Sequence, residues 1–290
     1  MRLGFLGTPE AAVPSLRALV AAGHDVALVV TRPDTRRGRG GRPSSSAVKR
    51  AALDLGLNVG HALGDLESVS LDRAIVVAYG AMIPEAILAR TPMLNVHFSL
   101  LPRWRGAAPV QRTILAGDEE TGVAVMSLEA ALDTGPVHLM ERVAVGEKTV
   151  GALTNELARV GADALVRVLA SRELLDNPRA QAGEATYAAK VTNETYHLTP
   201  TMSSTEVLRM VRLERAFTFI HDRRLKILSA HLVAPPSLNA GSIGLVGDEV
   251  VLAVADGAVG LDVVQAEGSR PMAARAWWSG ARVDASTRWG

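Results

Sequence analysis

Short apolar runs alternate with amphipathic segments over the first part of the chain. Leu3–Gly7 and Asp25–Val30 are apolar runs with the length of buried strands, and residues at helical spacing lie between them. Thr8 suits the N-cap of this helix and Pro9 suits its first turn. Continuous apolar runs are typical of parallel strands covered on both faces. This strand–helix–strand unit therefore predicts the start of a doubly wound sheet.

The same pattern continues through the next part of the chain. It predicts strands at Asp72–Ala78, Met93–His97, Glu120–Leu128 and Val137–Val145, and helices at Ala108–Leu115 and Thr149–Leu169. The turn after the first strand, Gly7-Thr-Pro-Glu, lacks the glycine spacing of a dinucleotide-binding turn. We therefore predict an α/β fold with a Rossmann-like, doubly wound and mostly parallel sheet that binds no dinucleotide at this turn.

The pattern changes after the long helix. Residues 177–200 are polar and have no clear periodicity, which favours a linker between two domains. After a helix at Thr205–Leu213 come short runs separated by glycine: Phe217–Ile220, Leu225–Ser229, Ser242–Val246, Val250–Val254 and Gly260–Gln265. Evenly spaced short strands predict a small β-barrel. The predicted domains are therefore residues 1–176 and 201–290, joined by the linker.

Composition narrows the class of protein. The chain has 290 residues, of which 48% are hydrophobic and 21% charged, as expected of a folded globular protein. It contains no cysteine, which excludes disulfides, thiolate zinc sites and a cysteine nucleophile. No apolar run has the length of a membrane span, and the N-terminal segment turns polar too early for a signal peptide. We expect a cytoplasmic monomer that does not bind a membrane.

The most charged segment is a glycine-rich loop after the second predicted strand. Residues 32–42 contain five arginines and one aspartate, a net charge of +4, although the net charge of the chain is +1. Arginine on a glycine-rich tether suits phosphate contacts and folding on nucleic acid. On composition alone, a solvated loop that only aids solubility remains an alternative.

Two polar side chains lie at the end of the predicted strand Met93–His97. Side chains alternate along a strand, so Asn95 and His97 share one face, roughly 7 Å apart along it. Pro102 then forces the chain out of the strand. Because open α/β sheets bind ligands at the carboxyl ends of their strands, we expect both side chains to point into one crevice there.

Two motifs carry a resemblance to a known family. The stretch from Asn95 to Gln111, Asn-Val-His-Phe-Ser-Leu-Leu-Pro followed by Arg-Trp-Arg-Gly-Ala-Ala-Pro-Val-Gln, resembles the folate-dependent formyltransferases. Leu132–Gly135 is similar to the second motif of that family, and Trp104–Pro109 resembles its members that act on methionyl-tRNA. The resemblance covers nearly the whole chain and is strongest in its first half.

The resemblance implies an activity, a co-substrate and a set of site residues. It implies transfer of a formyl group from 10-formyltetrahydrofolate to the α-amine of methionine on initiator tRNA, without a metal. It implies catalysis by Asn95, His97 and Asp133, and a C-terminal β-barrel of the oligonucleotide-binding type. The folate-binding residues that it implies are Tyr79, Gly80, Ile83, Pro84, Ser99, Leu100, Leu101 and Pro102. It also implies that arginines of the charged loop contact the tRNA acceptor stem, and these are Arg32, Arg36, Arg37, Arg39 and Arg42.

The residue types of the trio suit this reaction. Formyl transfer to an amine passes through a tetrahedral oxyanion, which needs hydrogen-bond donors aimed at its oxygen. Asn95 supplies an uncharged donor, and His97 can donate, since a histidine ordinarily titrates close to working pH. Asp133 would either orient His97 or accept the proton of the amine through a water, and both roles stay open. Ser99 lacks the Gly-x-Ser-x-Gly context of an acyl-enzyme nucleophile, so we expect it to hydrogen-bond within its loop.

Two segments depart from the tRNA-specific pattern and keep alternatives open. Tyr196–Pro200 lacks the usual Ile-Asp-Trp element, and Leu213–Phe217 lacks the usual Pro-Gly turn. The same chemistry would serve a small-molecule amine, such as an amino sugar or a hydroxyornithine-type siderophore precursor. A non-catalytic RNA-binding protein on this fold is the second alternative, and the intact Asn95, His97 and Asp133 argue against it.

Overall fold

The computed structural model describes residues 1–36, 43–234, 238–284 and 286–290. The chain divides into two compact units. The N-terminal unit comprises Met1–Val110, Glu119–Ala144 and Leu153–Ala189, and the C-terminal unit comprises Gln111–Asp118, Val145–Ala152 and Lys190–Gly290. The segment predicted as a linker, residues 177–200, is thus divided between the two units after Ala189.

Strands and helices alternate through the N-terminal unit. Its strands are β1 (Arg2–Gly7), β2 (Asp25–Val30), β3 (Thr35–Arg36), β4 (Pro43–Ser44), β5 (Val59–Gly60), β6 (Arg73–Val77), β7 (Met93–His97), β8 (Arg105–Gly106), β9 (Glu120–Ser127), β10 (Val137–Ala144) and β11 (Tyr187–Ala188). The α-helices of the whole chain are α1 (Val13–Ala21), α2 (Ala47–Asp54), α3 (Glu85–Leu88), α4 (Pro109–Ala116), α5 (Val150–Ala170), α6 (Arg172–Asp176), α7 (Ser204–Val211) and α8 (Ala274–Gly280). Short 3₁₀ helices lie at Glu10–Ala12, Leu63–Ser68 and Glu194–Tyr196.

Seven strands form the central sheet of the N-terminal unit, in the order β10-β9-β7-β6-β1-β2-β5. The five strands from β5 to β7 are parallel to their neighbours, whereas β9 and β10 are antiparallel at one edge. All residues of β7 and nearly all of β1 and β6 are buried, which is why these strands are continuous apolar runs in the sequence. The predicted Rossmann-like, mostly parallel sheet is confirmed.

The predicted start of the first helix is wrong. The Thr8 hydroxyl donates to the Tyr79 carbonyl oxygen at 3.3 Å instead of capping the helix. A 3₁₀ turn follows, and α1 begins only at Val13, with Pro14 in its first turn and no side-chain cap. The Thr8 hydroxyl, which the sequence predicted to cap the helix, therefore bonds to the segment just after strand β6 instead.

The middle of the sheet positions the polar end of β7. This strand lies between β6 and β9, where Asn95 is the neighbour of Val76 and of Met126. Helix α5 approaches β7 closely, because a Cβ atom at Gly161 would lie 2.7 Å from Cγ1 of Val96. Since side chains alternate along a strand, Asn95 and His97 face away from α5.

The C-terminal unit contains an antiparallel sheet. Its strands are β12 (Phe217–Ile220), β13 (Arg223–Leu232), β14 (Ile243–Val246), β15 (Glu249–Val254), β16 (Gly257–Ala266) and β17 (Met272–Ala273). The order is β12-β13-β16-β15-β14, and β17 also pairs with β16. Single bridges join Trp289 to Ile220 in edge strand β12, and Arg288 to Ser242, which precedes edge strand β14. These bridges connect the two edges of the sheet, as the predicted β-barrel requires. None of the helices within the described ranges is both long and apolar enough to cross a lipid bilayer.

Candidate active site

Asn95 and His97 lie at the carboxyl end of β7, and both side chains are largely buried. Asn95 is 9% exposed and His97 is 6% exposed. The side-chain amide of Asn95 has no hydrogen-bond partner among the residues that the structure describes. An amide without a partner among these residues is free to donate to a bound substrate.

The His97 ring lies between a backbone carbonyl and a carboxylate. Its Nε2 atom is 2.9 Å from the carbonyl oxygen of Trp104. A carbonyl oxygen only accepts hydrogen bonds, so this contact assigns a proton to Nε2 and leaves Nδ1 as the acceptor of the neutral ring. Nδ1 faces Oδ2 of Asp133 at 3.7 Å. This distance is too long for a direct hydrogen bond. It nevertheless shows that the second sequence motif, which contains Asp133, lies next to the first, which contains His97.

Asp133 occupies a turn with an unusual backbone conformation. Its φ of 52° is in the left-handed region, which among residues other than glycine is adopted mainly by asparagine and aspartate. The backbone N–H of Gly106 donates to Oδ2 of Asp133 at 2.7 Å. Asp133 is 8% exposed, and the hydrogen bond from Gly106 holds its carboxylate in a defined direction toward His97. The structure thus brings the three predicted catalytic residues to one strand end.

The loop after β7 is held by its own backbone and side chains. The Ser99 hydroxyl is fully buried and donates to the Arg103 carbonyl oxygen at 2.6 Å, as the sequence led us to expect. Leu101 is buried against Ala124 and Met126, and the Leu101–Pro102 peptide bond is cis. Of the folate-binding residues predicted in this loop, Leu100 and Pro102 are the half-buried ones. Their contact with folate remains a prediction.

The second predicted folate segment, Tyr79–Pro84, follows β6. The side chains of Tyr79 and Ile83 are buried in an apolar cluster with residues of β1, β2 and β6. Burial raises the pKa of the Tyr79 hydroxyl above its usual range, so this hydroxyl stays neutral at physiological pH. Gly80 has a φ of 76°, and Met82 is 67% exposed.

One of the predicted tRNA-binding arginines lies beside the predicted folate segment. The Arg32 guanidinium donates to the carbonyl oxygen of Gly80. Strand β3 lies within the arginine-rich loop and β4 follows it, and the two pair in antiparallel orientation with Arg36 opposite Pro43. Arg37, Arg39 and Arg42 lie outside the described residues, and of Arg36 only the backbone is described. Binding of tRNA by these arginines stays a prediction.

Sequence reasoning missed the residues that surround the trio from the segment after α6. Gln181 contacts the Asp133 turn and Arg105, and Thr186 contacts the backbone of Trp104. The segment is polar and has no periodicity, so no local signal marks these side chains.

Within the described residues, no group of three or more His, Asp or Glu side chains is placed to hold a metal ion. That the reaction needs no metal remains a prediction.

The geometry supports a reaction with an anionic intermediate. An amide donor with no partner among the described residues, an imidazole and a carboxylate lie at a mostly buried strand end, where hydrogen bonds act in a low effective dielectric. Groups of this kind stabilise negative charge that develops on a carbonyl oxygen, and they accept or return a proton.

Comparison with known proteins identifies the family. Residues 1–169 match the family described as formyl transferase, and residues 190–282 match the formyl transferase C-terminal domain. Methionyl-tRNA formyltransferase of Ruegeria pomeroyi is 40% identical, over 99% of this chain and 100% of that protein. The protein of the same name from Dinoroseobacter shibae is 42% identical, over 93% of this chain and 94% of its own length.

Solved structures of low sequence identity share the fold. An N-formyltransferase from Helicobacter canadensis, in complex with folinic acid and dTDP-3-aminofucose, aligns with a TM-score of 0.68 and 16% identity over 89% of this chain and 98% of that chain. Methionyl-tRNA formyltransferase from Clostridium thermocellum aligns with a TM-score of 0.57 and 15% identity over 80% of this chain and 94% of that chain. With its two family domains and relatives at about 40% identity over nearly the full length, the chain belongs to the formyl transferase family.

Proposed function

We propose that this protein transfers a formyl group from 10-formyltetrahydrofolate to the α-amine of methionine on initiator methionyl-tRNA. The observation that carries the acceptor is the near full-length similarity, at 40–42% identity, to proteins named methionyl-tRNA formyltransferase. The observation that carries the chemistry is the convergence of Asn95, His97 and Asp133 at the end of β7. A protein that acts on initiator tRNA is expected to work in the cytoplasm.

The contacts of the trio suggest how the steps are divided. The attacking amine nitrogen forms a bond to the formyl carbon, and the carbonyl oxygen becomes an oxyanion that the unpaired Asn95 amide stabilises. The amine loses a proton to Nδ1 of His97, which then points its new N–H toward the Asp133 carboxylate. The oxyanion collapses, the bond from the formyl carbon to N10 of the folate breaks, and N10 takes the proton back from His97.

Nε2 of His97 is engaged by the Trp104 carbonyl oxygen in this arrangement. If His97 also holds the oxyanion, as the family resemblance implied, that hydrogen bond has to open first. Asp133 then has the role of orienting the ring and stabilising its charged form, and it need not take the proton itself. The folate is expected at the carboxyl ends of the strands, between the segment Tyr79–Pro84 and the Asp133 turn.

The acceptor is tested by one competition assay. Formyl-labelled 10-formyltetrahydrofolate is offered together with methionyl-tRNA, an amino sugar nucleotide and hydroxyornithine, and the label in each product is measured. We expect the label in formyl-methionyl-tRNA. The departures at Tyr196–Pro200 and Leu213–Phe217 favour the small amines, and label in a small amine alone would reject the tRNA acceptor while leaving the transfer chemistry intact. Folate binding without transfer to any amine would favour the non-catalytic alternative.

The arginine-rich loop is expected to contribute to tRNA use. Replacing Arg36, Arg37, Arg39 and Arg42 by alanine should raise KM for methionyl-tRNA and leave folate affinity unchanged. Each lost phosphate contact lowers the slope of log affinity against log salt by about 0.7–0.9. The measurement is KM for tRNA at several salt concentrations.

A matched variant controls for net charge. Alanine at four exposed arginines of the N-terminal unit removes the same number of charges, and these are Arg17, Arg90, Arg159 and Arg172. If both quadruple variants weaken tRNA use equally, the effect is one of overall charge and the loop has no specific contact.

A further inference from the structure

A polar segment that follows α6 in the N-terminal unit is bonded to both motif loops. We call this segment, residues 179–188, the strap. At its start, Arg179 and Val137 exchange two backbone hydrogen bonds of 2.8 Å. At its end, β11 pairs in parallel with β8, so that Tyr187 and Ala188 lie beside Arg105 and Gly106. The strap therefore spans from the strand after the Asp133 turn to the loop after β7.

Gln181 in the middle of the strap uses both ends of its amide. Its Nε2 donates to the carbonyl oxygens of Asp133 and Gly135, each at 2.8 Å. Its Oε1 accepts from Nε and Nη2 of Arg105, at 3.1 and 2.7 Å. The opposite amide orientation would place the NH₂ group against a guanidinium and the oxygen against two carbonyls. The orientation is therefore set by chemistry.

These bonds fix the Asp133 carboxylate from two directions. Gln181 holds the backbone carbonyl of Asp133, and it also holds Arg105, whose chain neighbour Gly106 donates to Oδ2 of Asp133. Asp133 has a left-handed φ of 52°, which aspartate adopts more readily than most residues, and these bonds hold its turn in that conformation. The hydrogen bonds thus run from the Asp133 backbone carbonyl through Gln181 and Arg105 to Gly106, and return to the Asp133 carboxylate.

The strap also supports the other side of the site. The Thr186 hydroxyl oxygen accepts from the backbone N–H of Trp104 at 2.9 Å. The carbonyl oxygen of Trp104 is the group that accepts from Nε2 of His97. Trp104 has a φ of 61°, so its peptide groups also need support from neighbours. The strap therefore holds the two groups that flank the His97 ring.

We infer that Gln181 is a positioning residue that acts through Asp133. This inference rests on the catalytic role proposed for Asp133 and deepens it. The bridging amide keeps the Asp133 turn in the one conformation that points the carboxylate at Nδ1 of His97. Catalytic groups are sensitive to small displacements, so a loosened turn lowers turnover although the substrates still bind.

The test is a double-mutant cycle with Asp133. Gln181→Ala is expected to lower kcat by about tenfold or more, with KM for the folate donor within about twofold of the wild-type value. In an Asp133→Ala background, the same replacement should have almost no further effect on kcat, because the group through which Gln181 acts is gone. Equal effects of Gln181→Ala in both backgrounds would show a general structural role and overturn the inference.

Two further variants separate the contacts. Gln181→Glu keeps an acceptor for Arg105 but turns an oxygen toward the two carbonyls, so it should impair kcat at least as much as alanine. Wild-type kcat in Gln181→Glu would reject the donor role. Glu184→Gln is the control on the same strap, because Glu184 is exposed, and its kcat should equal that of the wild type.

Hydrogen exchange gives a readout that does not depend on activity. Amide exchange in a peptide that covers the Asp133 turn should be faster in Gln181→Ala than in the wild type and in Glu184→Gln. If the wild-type chain transfers no formyl group, the proposed function fails, and exchange alone decides the inference. Unchanged exchange at the turn overturns it, and faster exchange supports it.

Discussion

Turnover is expected to fall at least about a hundredfold when Asn95, His97 or Asp133 is replaced by alanine. Loss of one oxyanion donor typically lowers kcat by about 10²–10³-fold, and loss of a positioned acid or base by about 10²–10⁴-fold. The measurement is the single-turnover rate of formyl transfer, with the enzyme in excess over methionyl-tRNA and the folate donor saturating. Under these conditions the rate reports the chemical step.

Asn95 provides the sharpest form of this prediction. Its amide has no partner among the described residues, so Asn95→Ala removes no hydrogen bond to any of them and should leave the free energy of unfolding nearly unchanged. Asn95→Asp conserves the size of the side chain but places an acceptor where the oxyanion forms, and it should be as inactive as alanine. Near-normal turnover in either variant would remove Asn95 from the mechanism.

Asp133→Asn is the matched variant on the other side of the site. An asparagine oxygen can still accept from the Gly106 N–H, so the turn keeps this contact while the negative charge is lost. We expect turnover close to that of Asp133→Ala. If the asparagine variant is fully active, the negative charge has no role in catalysis, and Asp133 contributes only by holding its turn.

Gly135→Ala is expected to have the second largest effect, on both stability and turnover. A Cβ atom at Gly135 would lie 2.0 Å from the carbonyl oxygen of Ser127 and 3.0 Å from its carbonyl carbon. Neither atom belongs to a flexible side chain, so the backbone of the turn has to move. Overpacking of this kind typically lowers the free energy of unfolding by about 1–3 kcal/mol. The displaced turn also carries Asp133 away from His97, and we expect kcat to fall at least about tenfold.

Gly64→Ala is the control for the change of residue type. A Cβ atom at Gly64 meets no heavy atom within 4 Å, and its φ is not in the left-handed region. Chemical denaturation and kcat should both be close to those of the wild type. A Gly135→Ala variant that matches Gly64→Ala in both measurements would show that the turn relaxes freely and that the position of Asp133 is not critical.

Most regular elements could be predicted from the chain because their burial imposes a local pattern. The bounds of β2, β7 and β12 agree with the apolar runs that predicted them, since each run ends at a polar residue, glycine or turn. The start of α1 could not be predicted, because the Thr8 hydroxyl bonds to the distant Tyr79 carbonyl and not to its own helix. Local capping rules give way where a tertiary partner is available.

Much of the candidate site was predictable for two different reasons. Asn95 and His97 share a face because side chains alternate along a strand, and this follows from the sequence alone. Asp133 was assigned only through the resemblance of its motif. Asp133 comes within 3.7 Å of His97 because β9 pairs with β7, and the turn between β9 and β10 carries Asp133.

The strap shows what only the tertiary structure decided. Gln181 and Thr186 lie in a polar stretch that we expected to be a linker, and their bonds are to residues far away in the chain. Sequence by itself determined the α/β fold, the strand that carries Asn95 and His97, and the family, because these depend on periodicity and on contiguous motifs. Which carbonyl orients His97, and which amide holds Asp133, depends on hydrogen bonds between segments distant in sequence, and such bonds leave no periodic trace in the chain.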